Sequence, residues 1–241
     1  KFIHNFPNNI MKTKKEILSN KDKTFITVCY QFSYKDDKSF IDKIIEQSLK
    51  LNSKMNPYLA RDASNKRIES IVKVNCFAGL LSEYGWRDFF NKVAKKANIE
   101  CSFEFGEYNF DKNQVDIIFK KNEIEKNLEV RSSFPFAGIH KSIFYNFDII
   151  GWYKNDVKIE EIHKDYYLRV LFPYKVDSFS SLIKKEFKMY LCGGADKELL
   201  LNSKFAKYKP FIPQDLLGNQ ESTLYRVISP IFNGYDCYEI A

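Results

Sequence analysis

Strands alternating with helices around one hairpin predict an α/β protein: a mixed central sheet flanked by helices, with an N-terminal extension. Three observations carry that expectation. Tyr166 to Phe172 is almost continuously apolar, as a strand buried on both faces would be. Arg67 to Asn98 holds the longest helical pattern, with Ile68, Ile71, Val72, Ala78, Leu81, Phe89, Phe90 and Val93 on its apolar side. Between them, Gln114 to Ser133 reads as two paired strands.

The chain divides in expectation into an N-terminal extension, residues 1-65, suited to a DNA-binding or dimerisation arm, and a core, residues 66-241. Residues 1 to 23 are polar and basic, which predicts a loose arm with a short helix around Lys14 to Leu18. Phe25 to Tyr34 alternates β-branched and aromatic residues and predicts a strand. Asp36 or Asp37 can cap a helix carrying Phe40, Ile41, Ile44, Ile45 and Leu49. Asn52 to Asn65, with Pro57, predicts a linker. Cys101 to Phe105 opens the sheet. After the hairpin, a loop with a short helix precedes strands at Phe147 to Tyr153 and Asp165 to Phe172. Ser178 to Phe187 predicts a helix, Lys188 to Cys192 a strand, Gly193 to Asp196 a turn, Lys197 to Leu201 a helix and Tyr225 to Ile231 a last strand; Pro210 to Glu221 reads as loop.

Composition narrows the class. Of 241 residues, 44% are hydrophobic and 16% aromatic, enough for a packed core. Lys and Arg outnumber Asp and Glu by 38 to 31, a net +7 that suits a polyanionic partner without demanding one. The five cysteines show no C-x-x-C spacing and read as reduced thiols, not a disulfide framework or zinc site. No apolar run reaches the ~20 residues of a membrane span and no signal-peptide core is present, so a cytoplasmic location is expected. Phosphate loops of nucleotide-driven motors, G-x-S-x-G and H-E-x-x-H are absent from the sequence.

The hairpin carries the chemistry. Val115, Ile117 and Phe119 alternate on one arm, and Leu128 and Val130 on the other. If the turn centres on Asn122 and Glu123, Asp116 and Glu129 stand opposite each other, Cβ atoms about 5 Å apart. Two bare carboxylates there repel by about 3 kcal/mol at an effective dielectric near 20. Such a pair calls for a proton or a cation, and hard oxygen ligands suit Mg²⁺. Glu83 is the only charged residue between Lys73 and Arg87. It reads either as a salt-bridge partner of Arg87 or as a third acid on the same ion, and the two readings can coexist. Ser132 and Ser133 either donate to a DNA phosphate or simply end the strand. His140 and Lys141 follow in the loop, where His140 would lie near a scissile phosphate or in solvent. Lys184, Lys185, Lys188, Lys204, Lys207 and Lys209 form basic clusters that either track a DNA backbone or are a solvated face. Trp152, Tyr153, Tyr166 and Tyr167 either stack on bases or belong to the core.

The arrangement Asp116, Glu129-Val130-Arg131 and the preceding helical Glu83 resembles the PD-(D/E)XK nucleases, the superfamily that includes type II restriction endonucleases. The resemblance spans roughly residues 67 to 169 and implies a Mg²⁺-dependent endonuclease, with Mn²⁺ as a substitute ion, that hydrolyses double-stranded DNA as a homodimer. It implies metal ligation by Asp116, Glu129, the Val130 carbonyl and Glu83. One departure stands out: the usual lysine is Arg131, which stays protonated and so supports charge without serving as a base. The alternatives are a nucleic-acid-binding protein without catalysis, and a nuclease acting on RNA or branched DNA.

Overall fold

The computed structural model describes residues 11–54, 68–106, 115–135, 137–155, 163–210 and 223–241. Its large sheet has seven strands in the order β1-β2-β8-β7-β5-β4-β3. These are β1 (Lys12–Asn20), β2 (Lys23–Ser33), β3 (Ser102–Phe105), β4 (Ile117–Lys121), β5 (Ile124–Ser133), β7 (Tyr166–Leu171) and β8 (Glu186–Asp196). Only β5 and β7 run parallel; every other neighbouring pair is antiparallel. A smaller antiparallel sheet joins β6 (Ile149–Asn155), β10 (Thr223–Ile228) and β9 (Ala206–Pro210) in the order β6-β10-β9.

Alternation along the strands sends two apolar sets to opposite faces of the large sheet. One face carries Val28, Tyr30, Phe32, Leu128, Val130, Leu168, Val170, Phe187, Met189 and Leu191, and packs on two helices, α1 (Lys38–Lys54) and α2 (Glu69–Lys96). The other carries Phe25, Cys29, Tyr167, Leu171, Tyr190 and Cys192, and packs on the small sheet, a short α3 (Ile139–Lys141) with the wide turn Ser142–Asn146, and α5 (Lys197–Leu201). The mixed α/β architecture expected from the sequence is therefore present, with β7 the fourth of seven strands and its apolar run buried on both sides.

Within α2 every residue from Leu80 to Trp86 is buried, as in a helix enclosed on all sides. Gly85 lets it sit close on β8, since a Cβ there would come within 2.2 Å of Met189 Cε. Arg87 anchors the neighbouring edge: its Nε donates to the Phe103 carbonyl at 2.7 Å and its guanidinium lies over Phe105.

Several expectations need correction. The predicted loose arm contains β1, whose lysines and isolated Ile17 face outward and leave no period-two signal to read. Together β1, β2 and α1 build one side of the large sheet and its helical layer, so the described part of residues 1-65 is integral to the core rather than an extension from it. Ser178 to Phe187 is not a helix. A one-turn α4 (Val176–Phe179) gives way to turns, because Phe179 and Phe187 are both drawn into the core and β8 starts at Glu186. Gly193 and Gly194 lie inside β8, not in a turn. Gly193 has φ +67°, and a Cβ on it would meet the Tyr235 carbonyl at 1.9 Å, so only glycine admits the C-terminal segment that pairs there. Most of the expected linker and of the loop after Pro210 falls outside the described residues, and β9 was not anticipated. No helix is long and apolar enough to cross a membrane among the described residues.

Candidate metal and phosphate site

The β4–β5 hairpin forms as its sequence specifies. Ile117 pairs with Leu128 and Lys121 with Ile124, which centres the turn on Asn122 and Glu123. Asn122 takes φ 52°, the left-handed conformation that asparagine tolerates better than most residues. One step beyond the last ladder pair, the same register sets Asp116 against Glu129. Asp116 continues the β3 ladder as well, its carbonyl accepting from Gly106 N–H at 3.1 Å.

At this point the Asp116 side chain replaces backbone pairing: Val130 N–H donates to Asp116 Oδ2 at 2.7 Å. A strand residue projects its N–H and C=O to the same edge, so the Val130 carbonyl leaves β5 on the Asp116 side. Asp116 is partly exposed as a residue, yet its carboxyl is densely surrounded. Burial is the main reason its pKa is raised well above the usual carboxylate value. The neighbouring Glu129 charge raises it further, while the Val130 N–H and the charges of Arg131 and Lys164 pull the other way. Two acids that inhibit each other's ionisation are what a proton or a cation relieves.

Arg131 and Lys164 are felt at the acids, and Arg169 stands behind Arg131. Arg131 Nη2 lies 3.5 Å from Glu129 Oε1, with 7% of the Arg131 and 16% of the Glu129 side chain exposed. Its guanidinium also sits over the Tyr225 ring of the small sheet, 5.7 Å from the centroid. Arg169 stands beside it in register across the parallel pair. Arg169 Nη1 donates to the Arg131 carbonyl at 2.9 Å and Nη2 to Ser133 Oγ at 3.0 Å. Its Nε is buried without a partner, and burial lowers its pKa to about 10, which leaves it protonated at neutral pH.

The third is Lys164, only 2% exposed and felt at Asp116. Its position is fixed by its neighbour. Asp165 N–H donates to the Asn127 carbonyl at 2.8 Å, and Asp165 Oδ2 accepts from Asn127 N–H at 2.8 Å. Asp165 Oδ1 also accepts from Lys126 Nζ at 3.1 Å. That clamp holds the start of β7 against β5, and Lys164 N–H closes it by donating to the Tyr167 hydroxyl at 2.9 Å. The sequence motif could not reveal Lys164, because it lies outside the hairpin and reaches the acids only once β7 pairs with β5. A lysine directly before an acid that opens a buried strand was the one available signal.

The other anticipated residues are placed differently. Glu83 is buried on α2, in the helical layer, beside Tyr84, whose pKa is raised first by burial and then by the Glu83 charge. Period two puts Glu129 on the opposite face of the sheet from Leu128 and Val130, which meet that layer. Among the described residues no three His, Cys, Asp or Glu side chains are grouped to hold an ion, so Glu83 does not assemble with the pair into a three-acid centre. Ser133 serves Arg169, and Ser132 is half-buried on the helix side. His140 is exposed, contacts the Ser19 carbonyl through Nε2 at 2.8 Å and rests on Phe144. That ties it to β1, four strand spacings or about 19 Å across the sheet from β5, so it is not beside the acids. Lys141 next to it is exposed. Trp152 and Tyr167 are core, and His163 stacks on Trp152 at 3.9 Å.

As a donor set for Mg²⁺ the site offers two opposed carboxylates and one carbonyl, all hard oxygens, with room in the usual shell for water and a phosphate. No family model matches the chain, and neither the curated proteins nor the solved structures contain a match to it.

Proposed function

We propose that the chain is a Mg²⁺-dependent endodeoxyribonuclease of the PD-(D/E)XK type, acting in the cytoplasm on double-stranded DNA as a homodimer in the manner of type II restriction enzymes. The observation that supports this reading is the half-buried opposition of Asp116 and Glu129 across a hairpin, with the Val130 N–H on Asp116, Arg131 against Glu129 and the Lys164 charge felt at Asp116.

In this mechanism Asp116, Glu129 and the Val130 carbonyl would hold the ion, which when bound would supply an activated water and positive charge beside the scissile phosphate. Arg131 cannot remove a proton, and its guanidinium instead steadies a phosphate oxygen. Arg169 holds the strand on which Arg131 stands, through the Arg131 carbonyl. Lys164, buried and with its charge felt at Asp116, would take the part of the lysine that the motif lacks by orienting the attacking water. Lys141, exposed, would meet DNA only at its backbone, which positions without reading sequence. A two-fold symmetric dimer would present two such sites to the two strands.

The second reading, a nucleic-acid binder without catalysis, is favoured by one contact, the Arg131–Glu129 ion pair, which already occupies one carboxylate. Incubation of supercoiled plasmid with Mg²⁺ or Mn²⁺ separates the two. Nicked and linear products are expected from the parent and at least about 10³-fold less from Asp116→Ala, the order of loss when charge stabilisation at the reacting centre is removed. Cutting by neither protein, on plasmid, branched DNA or RNA, leaves the binder.

A further inference from the structure

The far end of the small sheet carries a second feature, independent of the acid pair. Large apolar side chains are exposed there together: Leu201 (54%), Phe205 (50%), Tyr208 (41%) and Leu224 (38%). Leu224 and Pro210 are ladder partners, as are Arg226 and Tyr208, which puts Leu224 and Tyr208 on neighbouring strands; Phe205 directly precedes β9 and Leu201 ends α5, whose last carbonyls meet Arg226. Tyr208 is held at several points. Its hydroxyl accepts from Trp152 Nε1 at 3.3 Å, and the Arg226 guanidinium lies over its ring, 5.3 Å from the centroid. Arg226 is fixed in turn, Nε donating to the Leu200 carbonyl at 2.7 Å and Nη2 to the Leu201 carbonyl at 3.1 Å. A ring pinned at its hydroxyl and backed by a cation, yet two-fifths exposed, is pre-organised for stacking.

Cations outnumber acids around the patch, where Glu198, one turn before Leu201 on α5, is the exposed acid. Lys154, the ladder partner of Leu224, Lys204, next to Phe205, and Arg226, over Tyr208, border the patch, and among the described residues none of them has a carboxylate partner within ion-pair distance. Lys209, by contrast, is neutralised by Asp148 at 2.8 Å. Exposed aromatic faces among unpaired cations suit a flexible polyanion carrying flat apolar rings. A duplex hides its bases and would use only the cations.

We propose that this end of the small sheet binds single-stranded DNA, with one unpaired base stacked on Tyr208 and a second on Phe205, and with Lys204 and Lys154 on the backbone phosphates. Trp152 links the platform to the acid site: it supports Tyr208 on one side and stacks on His163, next to Lys164, on the other. The binding does not depend on catalysis and is measured without divalent ions, so its failure and that of the nuclease reading are separate results.

The test is fluorescence anisotropy of a labelled oligothymidine of about 20 nucleotides, long enough to cover one such platform, titrated in EDTA and compared with a duplex of equal length. The parent binds the single strand more tightly than the duplex. Tyr208→Ala weakens single-strand binding about tenfold, the effect of losing one base–ring stack. Tyr208→Phe, which loses the same Trp152 contact but keeps the ring, retains most of the affinity. Phe205→Ala, at a side chain with little burial to lose, weakens binding in the same direction. Failure to bind oligothymidine, equal affinity for the duplex, parent-like binding by Tyr208→Ala, or equal losses in Tyr208→Ala and Tyr208→Phe each overturn the proposal.

Discussion

The two faces of the large sheet solve different problems. The helix side is an aromatic core: Phe32, Phe77, Phe179 and Phe187 lie in ring contact, and Trp86 packs on Phe89 and Phe90. The small-sheet side mixes apolar groups with Arg131 and Arg169, 7% and 1% exposed, and abuts the raised carboxyl of Asp116. Buried ions cost several kcal/mol each unless matched, so that face spends stability that the other supplies. The difference teaches where to look for function: charge is retained inside a protein where something other than packing requires it.

Truncation on the helix side has the largest effect on stability. Phe187→Ala removes a ring that contacts Phe32, Phe77 and Phe179, and an unfolding free energy lower by about 3–5 kcal/mol is expected from chemical denaturation. A loss under about 1 kcal/mol would mean that this face is loosely packed.

Next comes the acid pair, through its pH dependence. A carboxyl whose folded pKa is raised makes the folded state the better proton binder. Its contribution is complete below the unfolded value near 3.9 and is lost as pH climbs through the raised value. Each unit of that rise is about 1.4 kcal/mol. In EDTA, Asp116→Asn is therefore expected to match the parent near pH 4 and to exceed it near pH 8, with a melting temperature higher by about 3–5 °C. Parallel curves for the two proteins would show that Asp116 ionises without penalty.

The smallest effect belongs to Arg169→Met. Losing two donated hydrogen bonds is offset by relieving the desolvation of a charge that has no ion pair among the described residues and feels Asp148 only weakly, so a change within about 1 kcal/mol in either direction is expected. A loss of 3 kcal/mol or more would mark Arg169 as part of a matched ionic network and erase the contrast between the faces.

Much of this was legible in the chain. The hairpin could be read because Asn122 and the alternation of Ile117, Phe119, Leu128 and Val130 specify both turn and register, which is all that opposing Asp116 to Glu129 requires. Glu83 misled because a helical acid among apolar residues signals burial but not the layer it is buried in. Lys164 was hidden because its role depends on β5 pairing with a strand more than thirty residues away. Local spacing also favoured a helix at Ser178 to Phe187, where Phe179 and Phe187 instead enter the core from separate elements. Gly193 looked like a turn since its reason, the approach of the Tyr235 carbonyl, comes from the far end of the chain.

Calorimetric titration with Mn²⁺ alone tests most directly whether Asp116 and Glu129 share a cation. The parent is expected to bind the ion, and Asp116→Asn and Glu129→Gln are each expected to lose that binding while remaining folded. Absence of Mn²⁺ binding by the parent, or undiminished binding by both variants, would contradict the account.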